Sequence, residues 1–437
     1  MKKSKFVIIS HDAMVYDDLE YLGHKQSFKY LIGGGALVKT FRTIYPTVTY
    51  PAHTSMITGC YPDKTGVYNN ELDIMGVKSC DWHWFRSSNK AETLLDAAKK
   101  KGLVTANVFW PVTGCDKNID YNIAEYWTQN ENETIFDAFR RAGSSEEVID
   151  MIIRPNSHYL IGKERKHPYA DDFVFSCGIS MIKNFRPDVL VMHPAGIDGL
   201  RHSTGVFSDR VNDMLDHTAL WVQRVIEAVD EIGELENTNF VMMSDHGQIN
   251  VDRWAMPNVE LCRRGFIRVD EKGNIIDWDA FVKGVGASAQ VFLKDESDRA
   301  TYDSVYKTLI EMCDSGLYGF SEVMTREEAH KRERLSGGFS FVLETDGYTS
   351  FGSEWTGKVM HQRDISDYRG GAATHGYLPD KGPQPTMIAC GPDFVKGAVV
   401  ERRPIVDFAP TVAEILGLSL PDADGCPIEE IIKKINS

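Results

Sequence analysis

Asn239-Phe240-Val241-Met242-Met243-Ser244-Asp245-His246-Gly247 joins a short apolar run to two ligand-type side chains. The run has strand length and no polar alternation. That is the pattern of a strand buried on both faces, as in a parallel sheet covered by helices. The same signature recurs. Residues 5–10 lead to Asp12, 188–193 lead toward Asp198, and 104–110 and 385–390 are further apolar runs read as strands of the same kind. Helical patterns lie between them: 92–101 stopping at Gly102, 133–142 stopping at Gly143, and the long amphipathic stretch 209–232. Strands alternating with helices predict an α/β fold with a doubly wound, mostly parallel sheet and helices on both faces.

Two regions break this rhythm. Residues 117–172 show helices without a clear strand. Residues 250–370 hold short β-like pieces (266–269, 289–293, 339–343) and one helix, 298–313. The second stretch reads as an inserted α+β cap, with residues 1–249 and 371–437 forming the catalytic core. Gly370-Gly371-Ala372-Ala373 reads as the return hinge. The tail 405–417 reads as a helix with Pro410 in its first turn and Gly417 just past its end.

A chain of 437 residues accommodates this architecture, and its net charge of −15 comes with no basic stripe. A wrapped nucleic-acid duplex is therefore excluded as the partner. No apolar stretch has the length of a membrane span. The N-terminal lysines run straight into the first strand, without the apolar core and small-residue site of a signal peptide. The eight cysteines form no Cys-x-x-Cys pair and read as reduced thiols. These features together predict a cytoplasmic protein.

The chemistry-bearing residues are Asp12, Asp198 with His202, Asp245 with His246, and His375. In an open α/β sheet, ligands gather beyond the carboxyl ends of strands. Asp198 and His202 are four residues apart and share one side of a helix. Asp and His together suit two divalent ions, zinc first and manganese second. A hydroxyl nucleophile is expected in Thr47-Val48-Thr49-Tyr50-Pro51-Ala52-His53-Thr54-Ser55, where Pro51 suits a helix's first turn and the dipole favours an anion. Thr47, Thr49 and Thr54 all qualify on spacing. Three aspartates and a threonine alkoxide neutralise two divalent ions, which suits a singly charged diester at least as well as a doubly charged monoester. A nearby Arg42, Arg86 or Arg201 would shift that balance.

At these positions the sequence resembles the nucleotide pyrophosphatase/phosphodiesterase branch of the alkaline phosphatase superfamily. The resemblance runs through Ser10-His11-Asp12, 46–55, Thr58-Gly59-Cys60-Tyr61-Pro62, 198–205, Ser244-Asp245-His246-Gly247, Thr374-His375-Gly376-Tyr377 and the tail helix. Several motifs in the family's order are more specific than any one alone. The resemblance implies an alkaline phosphatase-like fold. It implies Thr49 as nucleophile and metal ligand, with Asp12, Asp245 and His246 on the same metal. It implies Asp198, His202 and His375 on the metal at the leaving oxygen. Asn70 would donate to a non-bridging phosphate oxygen, and Tyr50 would pack on a nucleobase. Tyr121 is a further pocket candidate. Ala52, Arg201 and Gln248 depart from the family's usual Asn, Gly and Met. The Cys-x-Pro-x-Arg of sulfatases is missing.

The expected function is a two-metal hydrolase of phosphodiester or pyrophosphate bonds, acting on nucleotide-type small molecules through a phospho-threonine. Rivals are a phosphomonoesterase, a phosphonoacetate-type phosphonate hydrolase, a phosphomutase and a non-catalytic binding protein. His53 reads as structural, and His11 as facing away from Asp12's side.

Overall fold

The computed structural model describes residues 4–77, 80–363 and 371–434. Eight strands form the central sheet: β1 (Lys5–Ser10), β2 (Ala36–Arg42), β3 (Thr105–Val108), β4 (Tyr121–Ile123), β5 (Val189–Met192), β6 (Thr238–Met243), β7 (Met387–Cys390) and β8 (Val399–Pro404). Their order across the sheet is β8-β2-β7-β6-β1-β5-β3-β4. All are parallel except β7, which runs antiparallel to both β6 and β2. The run 385–390 was expected as a parallel strand. Burial on both faces reads alike in either direction, so the sequence pattern carries no information on its sense.

Strand β1 shows why both faces need helices. Val7 and Ile9 point into one apolar core, with Phe173, Phe175 and Val222 from helices Tyr169–Phe185 and Asp209–Glu231. Phe6 and Ile8 point into the other, with Met56, Leu95 and Val412 from helices Thr49–Thr58, Leu94–Lys100 and Phe408–Leu416. Successive strand residues face opposite sides, so a strand apolar at every position is satisfied only by two layers. Helix Leu94–Lys100 begins at Thr93, whose side chain accepts from the Asp96 amide while Asp96 accepts from the Thr93 amide, a reciprocal cap.

The interval 117–172 does contain a strand, β4. It is three residues long, too short to stand out against its surroundings.

The segment 250–370 builds its own four-stranded antiparallel sheet from Ala280–Gly284, Ser288–Leu293, Phe341–Thr345 and Phe320–Thr325, in that spatial order. Helix Arg299–Ser315 packs on it through Val305, Leu309 and Met312. Helices Pro257–Arg263 and Arg326–Glu333 are additional to the single one expected there. The chain leaves the core at Ile249–Asn250 and returns at Ala373–Thr374, and these two pieces pair with each other. Gly370, part of the expected hinge, lies outside the described residues. The hairpin turn before Ser288 presses on the returning backbone: the Ala287 amide donates to the His375 carbonyl at 2.7 Å. A Cβ at Gly376, where φ is +101°, would lie 2.0 Å from the Val285 carbonyl oxygen. Only glycine tolerates both the conformation and the approach.

Among the described residues, no helix is long and apolar enough to cross a membrane. The eight cysteines are all free.

Candidate active site

Strands β6, β1 and β5 are neighbours at the centre of the sheet. Their carboxyl ends supply Asp245 with His246, Asp12, and helix Gly196–Thr204 bearing Asp198 and His202. His375 arrives from the returning segment. Six side chains from four separate stretches thus converge. They fall into two groups, Asp12/Asp245/His246 and Asp198/His202/His375, and within each the ligand atoms lie within 4.8 Å of one another.

The hydrogen bonds decide which imidazole nitrogens face inward. A carbonyl can only accept, so His202 Nδ1 carries its proton toward the Ala373 carbonyl at 2.8 Å. Its Nε2 lone pair then faces Asp198 Oδ2 at 3.2 Å. His246 Nδ1 likewise donates to the Gly247 carbonyl at 3.2 Å. Its Nε2 faces Asp12 Oδ1 at 3.4 Å and Asp245 Oδ2 at 3.2 Å. Among the described residues, Asp12 Oδ1 and Asp245 Oδ2 are buried and accept no hydrogen bond. Lone pairs aimed at lone pairs inside a protein are stable only around a cation or a shared proton. This donor set therefore fits divalent metal, with backbone carbonyls orienting the ligating imidazoles from behind.

The same crowding appears in the electrostatics. Burial, reinforced by Asp198, Asp245 and Glu125, pushes the Asp12 carboxyl well above its usual range. Burial also opposes charge on Asp198, but His202, His375 and His246 outweigh it and hold that carboxyl below the usual range. Gln248, the family's usual Met, donates its side-chain amide to Asp198 Oδ1 and to the Asp198 carbonyl. The departure thus steadies the Asp198 carboxylate.

Thr49 is the first residue of helix Thr49–Thr58. Its Oγ lies 3.2 Å from His246 Nε2, at the edge of the first group. Thr47 instead donates its hydroxyl to the Tyr377 carbonyl, and Thr54 donates to the Tyr50 carbonyl. Of the three candidates only Thr49 borders the cleft. Asn70 Oδ1 accepts from the Tyr50 amide at 2.9 Å, which leaves its NH2 as the free end on the cleft wall. Asn69 pairs with Gln290. His53 packs between Trp110 and His193, fully buried, with Nδ1 donating to the Thr49 carbonyl. His11 is buried against Phe28 and Phe175.

Three expectations need correction. Tyr121 does not border the cleft. It begins β4, at the opposite end of the strand from the site, and stacks flat on Phe185 at 3.9 Å. Tyr50 is part of the wall but offers no open face. It is fully buried, edge-on to Trp82 at 5.1 Å, with its hydroxyl donating to Glu125 at 3.1 Å. Arg201 points away from the cleft. Its guanidinium is fully buried and forks onto both oxygens of Asp18 at 2.6 and 2.7 Å. Arg42 pairs with Glu333 and Asp380, and Arg86 with Asp96, so neither serves the site. Arg201→Ala would strand the Asp18 carboxyl in the interior. A stability loss of about 3–5 kcal/mol is expected, read as a lower denaturant midpoint.

Sequence reasoning missed most of the outer wall: Trp82, Glu125, Trp127, Arg165, His167 and His193. His193 ends the β5 run and faces Asp12 Oδ2 at 3.2 Å, so its strand-end position was a usable signal. Glu125 follows β4, and overlooking that strand hid it. Burial pushes the Glu125 carboxyl up to about 7 against the opposing Tyr50 hydrogen bond. The remaining wall residues sit on loops that carry no periodicity.

A family model described as Type I phosphodiesterase / nucleotide pyrophosphatase matches residues 6–378. The human ectonucleotide pyrophosphatase/phosphodiesterase family member 1 is 22% identical over 222 residues, 49% of this chain and 20% of that protein. A Caenorhabditis elegans ectonucleotide pyrophosphatase/phosphodiesterase is 22% identical over 424 residues, 94% of this chain and 47% of that protein. The chain thus spans less than half the length of these curated relatives. The solved structure of murine ectonucleotide pyrophosphatase / phosphodiesterase 5 superposes with a TM-score of 0.67 at 16% identity, covering 99% of this chain and 100% of that one. The human counterpart gives 0.68. These structural likenesses carry the fold, an α/β alkaline phosphatase-like sheet. The family match over most of the chain, with six ligand-type side chains gathered beyond the central strands, places this protein in the type I phosphodiesterase / nucleotide pyrophosphatase family, whose members depend on metal.

Proposed function

We propose that this chain hydrolyses phosphodiester or pyrophosphate bonds of nucleotide-type small molecules, with Thr49 as nucleophile. One observation carries the reading: the Thr49 hydroxyl sits at a helix N-terminus, 3.2 Å from His246 Nε2 in the first ligand group, on a cleft that the second group also lines. Asp12, Asp245 and His246 would hold one divalent ion and Asp198, His202 and His375 a second, zinc or manganese by the Asp/His donor set. Bound there, such ions lower the pKa of a neighbouring hydroxyl and neutralise charge that builds on phosphorus oxygens. Thr49 Oγ attacks phosphorus in line, forming a phospho-threonine as the leaving oxygen departs. Water then cleaves the phospho-threonine and restores the hydroxyl. Asn70 NH2 donates to a non-bridging oxygen. Trp82, which covers Tyr50 at the cleft, is the aromatic placed to meet a base.

A diester is favoured over a monoester because none of the three candidate arginines is free to back the phosphorus position, and Arg165, which does line the cleft, stands out beside Trp82. Arg42, Arg86 and Arg201 are each committed elsewhere. The relatives' structural record is compatible with a nucleotide: an inactive form of the murine protein 5 was solved in complex with AMP. Segment 250–370 would act as a cap that shapes access and steadies His375 from behind. Eight unpaired cysteines suit a reducing compartment such as the cytoplasm.

The test is turnover of bis-p-nitrophenyl phosphate against p-nitrophenyl phosphate. The diester is expected to be preferred by about tenfold or more in kcat/KM. Preference for the monoester would move the reading to a phosphatase.

A further inference from the structure

The loop 163–169 is built side chain by side chain. Lys163 lies over the Tyr169 ring at 3.9 Å. Glu164 accepts from the Thr128 amide and hydroxyl at 3.2 and 2.9 Å. His167 donates Nδ1–H to Asp171 Oδ2 at 2.5 Å, while Asp171 Oδ1 accepts from the Gly196 amide, which opens the helix bearing Asp198 and His202. Two basic side chains of this loop remain for the cleft: Arg165, over the Trp82 ring at 5.7 Å, and the outer edge of the His167 ring. Arg165 holds φ at +59°, a conformation costly for a non-glycine residue. Gly199 makes room for the imidazole, since a Cβ there would lie 2.8 Å from His167 Cδ2.

We propose that Arg165 and His167 form a subsite for a second anionic group of the substrate, a phosphate or a carboxylate beyond the scissile phosphorus. The inference rests on the hydrolase reading above and adds the substrate class: esters, anhydrides or phosphonates carrying that extra charge. Three acidic groups and one phenol face these side chains, and none of them lies within ion-pair distance of Arg165, whose charge nonetheless acts on Glu125 and Tyr50. Asp171 is spent on His167 and the Gly196 amide. Asp198 belongs to a metal-ligand group. Glu125 accepts from the Tyr50 hydroxyl, and burial keeps much of it protonated near neutral pH. Among the described residues Arg165 forms no ion pair, and its guanidinium is exposed at the cleft of a chain whose net charge is −15. A planar fork of donors beside an imidazole matches the oxygens of a phosphate or carboxylate. A diester with two neutral aryl groups offers nothing for this pair to bind.

The experiment measures steady-state kinetics of the full metal-loaded chain on three substrates. Bis-p-nitrophenyl phosphate lacks the second anion, ATP carries it as phosphate, and phosphonoacetate carries it as carboxylate. In Arg165→Ala, kcat/KM on the favoured anionic substrate is expected to fall by at least tenfold more than on bis-p-nitrophenyl phosphate, mainly through KM. Arg165→Lys should restore part of the loss, and His167→Gln should show a smaller loss of the same kind. Which of ATP or phosphonoacetate responds identifies the anion. Equal proportional losses on all three substrates would overturn the subsite. So would wild-type protein that cleaves bis-p-nitrophenyl phosphate but neither anionic substrate. Wild-type protein inert toward bis-p-nitrophenyl phosphate as well would instead sink the hydrolase reading itself.

Discussion

Thr49→Ala is expected to lower turnover of a diester by about three orders of magnitude or more while leaving bound metal unchanged. The expectation follows from position. Thr49 is the one threonine of its segment that borders the cleft, and its Oγ stands 3.2 Å from His246 Nε2. The side chain contributes little to the fold: helix Thr49–Thr58 is held by Met56 and Ile57 in the core and by Gly59 at its end. The variant should therefore melt near the wild-type temperature. Rapid quenching of wild-type enzyme with labelled substrate should trap a covalent adduct that the variant cannot form. Turnover within tenfold of wild type, in a folded and metal-loaded Thr49→Ala protein, would remove Thr49 from the mechanism.

Chelation is the second large effect. Stripping metal should reduce turnover by about a hundredfold or more, and re-adding zinc or manganese should restore it. The donors also predict a count. Two groups of three ligands should bind two ions per chain, and His202→Ala should leave about one, because Asp12, Asp245 and His246 are untouched. Elemental analysis after gel filtration reads this directly. A wild-type chain that holds one ion or none at saturating metal would contradict the two-ion centre. Removal of metal should also cost stability, since Asp12 and Asp245 then face His246 across a buried gap with nothing between them.

The contrast between Arg201 and Arg165 shows how far position along the chain can mislead. Arg201 directly precedes a ligand, yet helix geometry turns it about 100° away from His202, into a buried fork on Asp18. Arg165 lies more than thirty residues from the nearest ligand in a loop with no pattern, yet its guanidinium reaches the cleft. Tyr121 and Glu125 make the same point on one short strand. The first sits at its amino end and the second just beyond its carboxyl end, and only the latter faces the site.

From sequence alone came five of the eight central strands (β2, β4 and β8 went unread), much of the helical cover and the six ligand-type positions, because these depend on local pattern. A fully apolar run must be buried on both faces, an amphipathic stretch must lie on it, and Asp and His recurring near several strand ends point to one shared site, though a single one such as His11 can simply pack. Tertiary structure alone settled the rest. It made β6, β1 and β5 neighbours, so that residues more than two hundred positions apart share one cavity. It reversed β7, set Thr49 at the cleft while turning Thr47 and Thr54 onto backbone carbonyls, buried Tyr50 behind Trp82 and brought Arg165 and His167 to the wall. Those outcomes turn on strand order, strand direction and the path of aperiodic loops, which are fixed by packing among distant segments and leave no trace in any local window.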